Sequence, residues 1–443
     1  MNRSVSQDKL ASLYPAHLAT MKSRHDAALE STGYDHIVIF GGSEHIAFLD
    51  DNAYPFRVSP LFKAWLPVTD NPNCFIVHTP GKRPQLLYFQ PVDYWYKPAE
   101  DPEGYWVGEF DLHRLAKLED AKAFIPSGRV AFAGEWDPSF GNWNLTNPNP
   151  QPLINRLHYD RAWKTEYEIE CMRQANLLAA RGHRAAERAF REGASEYEIH
   201  LQYMRATNHK EAELPYGNII AFNEHAAVLH YQHQERERPK DVHSFLIDAG
   251  ATFHGYASDI TRTWSKENDE FAELIASVDA YQQELCAAVR PGLDYREFHL
   301  LAHRKAAETL KKHGFITVGA DEAVETGITS AFFPHGLGHY IGLQVHDVGG
   351  FMSDTEGNTI DKPEGHPYLR LTRVVEPGHV FTVEPGIYFI GSLLEELKNR
   401  DGKGVEWAKV DAFRKYGGVR IEDDVVVREE RPENLTRAAF AAG

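Results

Sequence analysis

The stretch Ser244–Trp264, SFLIDAGATFHGYASDITRTW, holds two β-rich runs, SFLIDAG and GYASDITRTW, joined by a short connection that contains glycine. This pattern predicts an antiparallel hairpin. Asp248 and Asp259 lie equally far from its centre, so they are expected to face one another and to point to one side. Two bare carboxylates so close would repel. Each strand otherwise reads as buried, and an ionised acid in such a place must be paired or bound to a metal.

The same predicament recurs downstream. Glu384 ends the apolar run VFTVEPG, and Glu422 sits inside GGVRIEDDVVV. Four buried acids need positive charge, the nearby bases are too few, and two divalent cations would balance four carboxylates on formal charge. A nitrogen donor is expected from residues 334–350, PHGLGHYIGLQVHDVGG, where His335, His339 and His346 stand among glycines. Gly336 and Gly338 predict a loop there, and the HExxH motif of helical zinc sites is absent. Four oxygens and one nitrogen favour hard divalent ions such as Mn²⁺ or Co²⁺, with Zn²⁺ compatible. Two such ions about 3.5–4 Å apart can share a water, lower its pKa and polarise the carbonyl it attacks. That is peptide hydrolysis without a covalent intermediate. Arg420 lies two residues before Glu422, so on a strand both share one face, and a guanidinium suits a substrate carboxylate.

Helix and strand signals alternate through the second half. Thr165 with Glu168, Ser195 with Glu198 and Asp294 with Glu297 have the spacing of capping boxes that open helices. Before residue 155 the apolar runs His36–Phe40, Phe75–His78, 86–89 and 130–132 predict a small α/β domain, preceded by a helix that opens after Pro15. The segment 146–152, TNPNPQP, is read as the linker, giving domains 1–155 and 156–443.

Bulk properties exclude several classes. A net charge of −17 without a dense basic run opposes nucleic-acid binding. No stretch reaches the ~18 apolar residues a membrane span requires, and the polar start MNRSVSQDKL lacks a secretory core, so a cytoplasmic protein is expected. The scattered Cys74, Cys171 and Cys286 are expected to be buried thiols rather than a disulfide framework.

The order Asp248, Asp259, His339, Glu384, Glu422 resembles that of the pita-bread metallopeptidase family, which includes methionine aminopeptidase, aminopeptidase P and prolidase. FLDD at 48–51, FKAWLPV at 62–68 and PVDYW at 91–95 look like the branch of bacterial Xaa-Pro dipeptidases and organophosphorus acid anhydrolases. The resemblance implies an α+β chain with a creatinase-like first domain and a pita-bread catalytic domain. It further implies a homodimer, a dinuclear site holding two divalent ions, Mn²⁺ foremost, on those five residues, and dipeptides with C-terminal proline as substrates. By the same resemblance Arg370 closes over the substrate carboxylate, and His230 and His346 stabilise the tetrahedral intermediate. Glu384 shuttles the proton, while His335, Tyr216 and Leu229 line the pocket. Asp51 reaches the partner's active site. The alternatives are an aminopeptidase P acting on longer peptides, cleavage of organophosphate triesters at the same site, and a non-catalytic binding module that has lost its ligands.

Overall fold

The strands expected before residue 155 form the middle of a six-stranded mixed sheet in the order Asp111–Leu115, Gln85–Phe89, Phe75–His78, His36–Phe40, Val130–Ala133, Asn147–Pro148. His36–Phe40 runs antiparallel to Phe75–His78 and parallel to Val130–Ala133. Its inward residues Val38 and Phe40 pack with Phe75, Phe132 and Phe140. The computed structural model describes residues 3–145 and 147–442. The chain divides into two compact units: Met1–Cys171 with His254–Tyr256 and Asp354–Asn358, and Met172–Phe253 with Ala257–Ser353 and Thr359–Gly443.

Two features of the first unit differ from expectation. The opening helix runs Arg3–Thr32 with Pro15 inside it. Proline forfeits one backbone hydrogen bond there, but the neighbouring turn is anchored: Tyr14 donates to the Trp65 carbonyl at 2.5 Å and His17 Nε2 bonds to the Ala64 carbonyl at 2.8 Å. The proline-rich segment is structured as well. Asn147–Pro148 forms the sheet's edge strand and Pro150 and Pro152 start the helix Gln151–Asp160, positions that suit a residue without an N–H. Thr146 lies outside the described residues. Leu153 and Leu157 of that helix are buried, and the helix remains with the first unit instead of being cut by a boundary at 155.

In the second unit Ile219–Phe222, Ser244–Asp248 and Thr261–Ser265 form one sheet, and Val380–Val383, Asp423–Val426 and Glu433–Asn434 another. Gly386–Tyr388 pairs with Gly418–Arg420. A bridge between Thr261 and Glu422 links strands from the two halves of this unit. The capping box at Ser195 forms, with Ser195 N donating to Glu198 at 2.8 Å and Glu198 N to Ser195 Oγ at 3.2 Å. At Asp294 the outcome differs: its carboxylate accepts from Arg296 N and pairs with the Arg296 guanidinium, whose charge outbids the box. All three cysteines are free and buried.

Candidate functional site

Asp248 ends its strand opposite Thr261, and beyond it Ala249 N donates to Ile260 O. Asp259 therefore lies across from Gly250, two residues from the expected register. Because side chains alternate with period two, the slip leaves both acids on one face. Gly250 is what permits this: a Cβ there would stand 2.0 Å from the Ser258 carbonyl oxygen. Tyr216, placed just ahead of Ile219–Phe222, bonds through its hydroxyl to Asp248 Oδ1 at 2.7 Å and to Asp259 Oδ1.

The other strands bring the remaining acids to the same place. Thr261 Oγ1 donates to Glu422 Oε2 at 2.6 Å, and Arg420 Nη2 donates to Asp248 Oδ2 at 2.8 Å. Arg420 also donates through Nη1 to Tyr388 Oη and through Nε to Thr261 Oγ1. Most of its donors are thus spent holding the site together.

His339 arrives on the expected loop. Gly338 lets the backbone press against Val380–Val383, since a Cβ there would be 2.0 Å from the Thr382 carbonyl oxygen. His339 N donates to Thr382 Oγ1 and Thr382 N to the His339 carbonyl. The ring donates Nδ1–H to the Tyr340 carbonyl at 2.9 Å, which turns Nε2 to within 3.4 Å of Asp259 Oδ2 and 3.6 Å of Glu384 Oε1. A carbonyl can only accept, so the lone pair of the neutral ring is on Nε2. Donor atoms of Asp259, His339 and Glu422 lie within 4.8 Å of one another.

This is a crowd of negative charge. Burial and mutual repulsion raise the Asp248 carboxyl, drive Glu384 up to about 7 and lift Glu422 well above the usual range. Burial also works against ionised Asp259, but its bond to His339 leaves it below the usual value. His339 is lowered by burial, yet Asp259 and Glu384 outweigh that and bring it to about 9. Three carboxylates that must borrow protons and a fourth held ionised, beside an imidazole presenting Nε2, are a donor set suited to divalent cations.

Of the other expected residues, His335 and His346 stand beside this centre. His335 donates Nδ1–H to the Gly336 carbonyl and accepts from Tyr388 Oη at 2.7 Å, with burial holding it at about 3. His346 packs its ring edge-on against His339 at 4.4 Å. Burial, then the charges of His339 and Arg370, hold His346 at about 3, with His230 adding to the effect. His230 and Arg370 are exposed and Leu229 is half-buried. Asp51 belongs to the first unit, exposed on the loop with Phe48 and Leu49.

Sequence reading missed Thr261, Thr382 and Tyr388, which orient the acids and arginine, and it missed Glu196. That buried carboxylate accepts from Phe222 N, His225 Nδ1, Tyr231 Oη and Glu235 N, all within 2.8 Å, and so folds the loop that carries Leu229 and His230. Only Thr261 had a usable signal, as the residue two beyond Asp259 on the same strand face.

The description of metallopeptidase family M24 matches residues 170–429, more than half of the chain and all five converging residues. The chain belongs to family M24. Ahead of that M24 region, residues 12–159 match the Xaa-Pro dipeptidase N-terminal domain. The M24 chain is 53% identical to the Xaa-Pro dipeptidase of Stenotrophomonas maltophilia K279a, covering 99% of each protein. Identity to the Xaa-Pro dipeptidase of Xanthomonas oryzae pv. oryzae MAFF 311018 is 50%, over 99% of this chain and 100% of that one. In fold it is similar to zinc-substituted E. coli aminopeptidase P in complex with product, with a TM-score of 0.72 at 24% identity over 96% and 98% of the two chains. Creatinase-like and pita-bread parts together make the α+β architecture of this M24 protein.

Proposed function

We infer that this chain is an Xaa-Pro dipeptidase, a metal-dependent hydrolase of dipeptides that end in proline. The convergence of Asp248, Asp259, His339, Glu384 and Glu422 on one buried point carries the hydrolytic reading. The substrate class follows the full-length relatives named above.

Those five residues would hold two divalent ions, Mn²⁺ foremost because oxygen donors outnumber nitrogen. When bound, such ions supply Lewis acidity and bring a water's pKa towards neutrality. The protein's own groups do the rest. Arg420, Thr261, Tyr216 and Thr382 fix the carboxylates and the imidazole before substrate arrives, so little reorganisation is left for the reaction. Glu384 can take a proton on one carboxylate oxygen and deliver it to the leaving proline nitrogen. His346 and His230 offer N–H groups to the developing oxyanion, and Arg370 takes the substrate's carboxylate. His335, locked by Gly336 and Tyr388, forms the wall between them with Tyr216 and Leu229.

A homodimer accords with the first unit's surface: Phe48 and Leu49 are 86% and 90% exposed and Val92 fully so, beside Tyr94 and Trp95. Apolar groups so exposed on two loops seek cover, and Asp51 of the first loop would then reach the partner's site. Cytoplasmic residence accords with free, buried thiols and with the absence, among the described residues, of a helix long and apolar enough to cross a membrane.

The test is a peptide panel with added Mn²⁺. Ala-Pro should be cut, Ala-Ala and Ala-Pro-Ala spared, and chelation should abolish turnover until Mn²⁺ is restored. Equal cleavage of Ala-Ala would refute the proline assignment, and preference for Ala-Pro-Ala would make the enzyme an aminopeptidase P.

A further inference from the structure

Three histidines beyond the five converging residues stand close together. His299 and His303 lie one turn apart on the helix Tyr295–Lys312, and His366 belongs to the segment leading to Arg370. Their ring centroids are 4.5–4.6 Å apart. Three imidazoles are the donor set of a zinc site, but the protons are arranged against it. Leu337 N–H donates to His299 Nδ1 at 3.2 Å. The nitrogen that accepts bears no proton, so the neutral ring is protonated on Nε2, and Nε2–H donates to His366 Nδ1 at 2.9 Å. A ring nitrogen carrying its proton cannot ligate a cation. Burial pushes His299 down to about 3 and lowers His366 too, which keeps both rings neutral.

The same bonds form a chain with two functional ends. Leu337, between His335 and His339, accepts at its carbonyl from Glu384 N–H at 2.8 Å. At the other end the His366 carbonyl accepts from Leu369 N–H at 3.3 Å, one residue from Arg370. The two segments also touch directly, since a Cβ on Gly336 would lie 2.9 Å from Leu369 Cα.

We propose that His299 is a positioning residue: as the Nε2–H tautomer it ties the segment bearing Arg370 to the Leu337 peptide, and through it to Glu384, and so sets how tightly the substrate's carboxylate is held. This rests on the dipeptidase reading, with Arg370 at that carboxylate.

His299→Phe keeps a ring of similar size and removes both bonds. With Ala-Pro and Mn²⁺, its KM should rise about tenfold while kcat stays within about twofold, the scale of one lost buried hydrogen bond acting on binding alone. Inhibition by proline should weaken by the same factor and inhibition by prolinamide should not, and the metal content per chain should be unchanged. His366→Phe, at a half-buried position that tolerates change better, cuts only the outer link and should give the same split if His299→Phe fails to fold. The ¹⁵N shifts of the wild-type His299 ring should show Nε2 protonated and Nδ1 bare. Unchanged KM in both variants, a protonated Nδ1, or a third metal equivalent that His299→Phe removes would overturn the proposal. A metal-loaded wild type that leaves Ala-Pro intact would count instead against the dipeptidase reading, and the nitrogen shifts would still decide His299.

Discussion

Arg420 Nη2 donates to Asp248 Oδ2 at 2.8 Å although the two residues are 172 positions apart, and both side chains are largely shielded from solvent. The pair makes the second strand group a counter-charge for the first. Removing one partner of a buried pair strands the other, at a cost of about 3–5 kcal/mol. Arg420→Met should lower the unfolding free energy of the metal-free protein by about that amount, with turnover lost as well. Urea denaturation checks it, and an unaltered midpoint would mean the pair contributes nothing.

Above about pH 7, where histidines held neutral by burial no longer titrate in either state, stability of the metal-free protein should fall as pH rises. Burial, then repulsion from Asp259, raises Glu384 from 4.5 to about 7 despite the pull of His339. Against burial, Asp259 and Glu384 raise His339 from 6.5 to about 9. Both groups bind more protons folded than unfolded, so each favours the folded state at low pH and loses that effect across its own window, 4.5 to 7 and 6.5 to 9. Depressed Asp259 has the opposite sign, but its window lies below the ordinary 3.8. Chelated protein should be more stable at about pH 7 than at about pH 9, by on the order of 2 kcal/mol; His299, His335 and His346, held at about 3, act with the opposite sign but only below their ordinary 6.5. Metal must displace those protons, so Mn²⁺ affinity should climb over the same range, with proton release measurable by calorimetry in two buffers.

Gly250→Ala should disable the site while leaving the first unit alone. The added methyl meets the Ser258 carbonyl at 2.0 Å and Pro215 at 2.8 Å, so the strands carrying Asp248 and Asp259 must part. Overpacking of this kind costs about 1–3 kcal/mol. Metal content per chain is the decisive measurement; a variant that still binds two ions would show the register to be tolerant.

Glu196→Gln should loosen the loop of His230. The amide retains one acceptor where the carboxylate offers two, so Tyr231 Oη and Glu235 N, or Phe222 N and His225, lose their partner. Each unsatisfied buried donor costs about 1–3 kcal/mol. Faster proteolysis within residues 223–235 and a weakened kcat at normal metal content are expected, and native protease resistance would argue against the hub.

Much of this arrangement could be read from the chain because charge in an apolar run is a local anomaly. Asp248, Asp259, Glu384 and Glu422 announce themselves that way, and the glycines around His339 announce a loop. The register between Asp248 and Asp259 could not be read, because it depends on what Gly250 avoids, and that carbonyl comes from the opposite strand. Pro148 and Pro150 suggest a linker for a related reason: proline is disfavoured in central strands and helix interiors, yet it fits an edge strand and a first helical turn. Glu196 and His299 act through partners scattered over dozens of residues, and no periodicity records such a partnership.

The bridge between Thr261 and Glu422 spans 161 positions. During synthesis at roughly 5–20 residues per second, Asp248 and Asp259 emerge many seconds before the strand that completes their surroundings. An unfinished chain therefore offers passing ions only a weak half-site, and a selective cage exists only once the last strands have closed. Ion loading becomes the final step of maturation, and a chain broken off before Glu422 would be an empty shell instead of a slower catalyst.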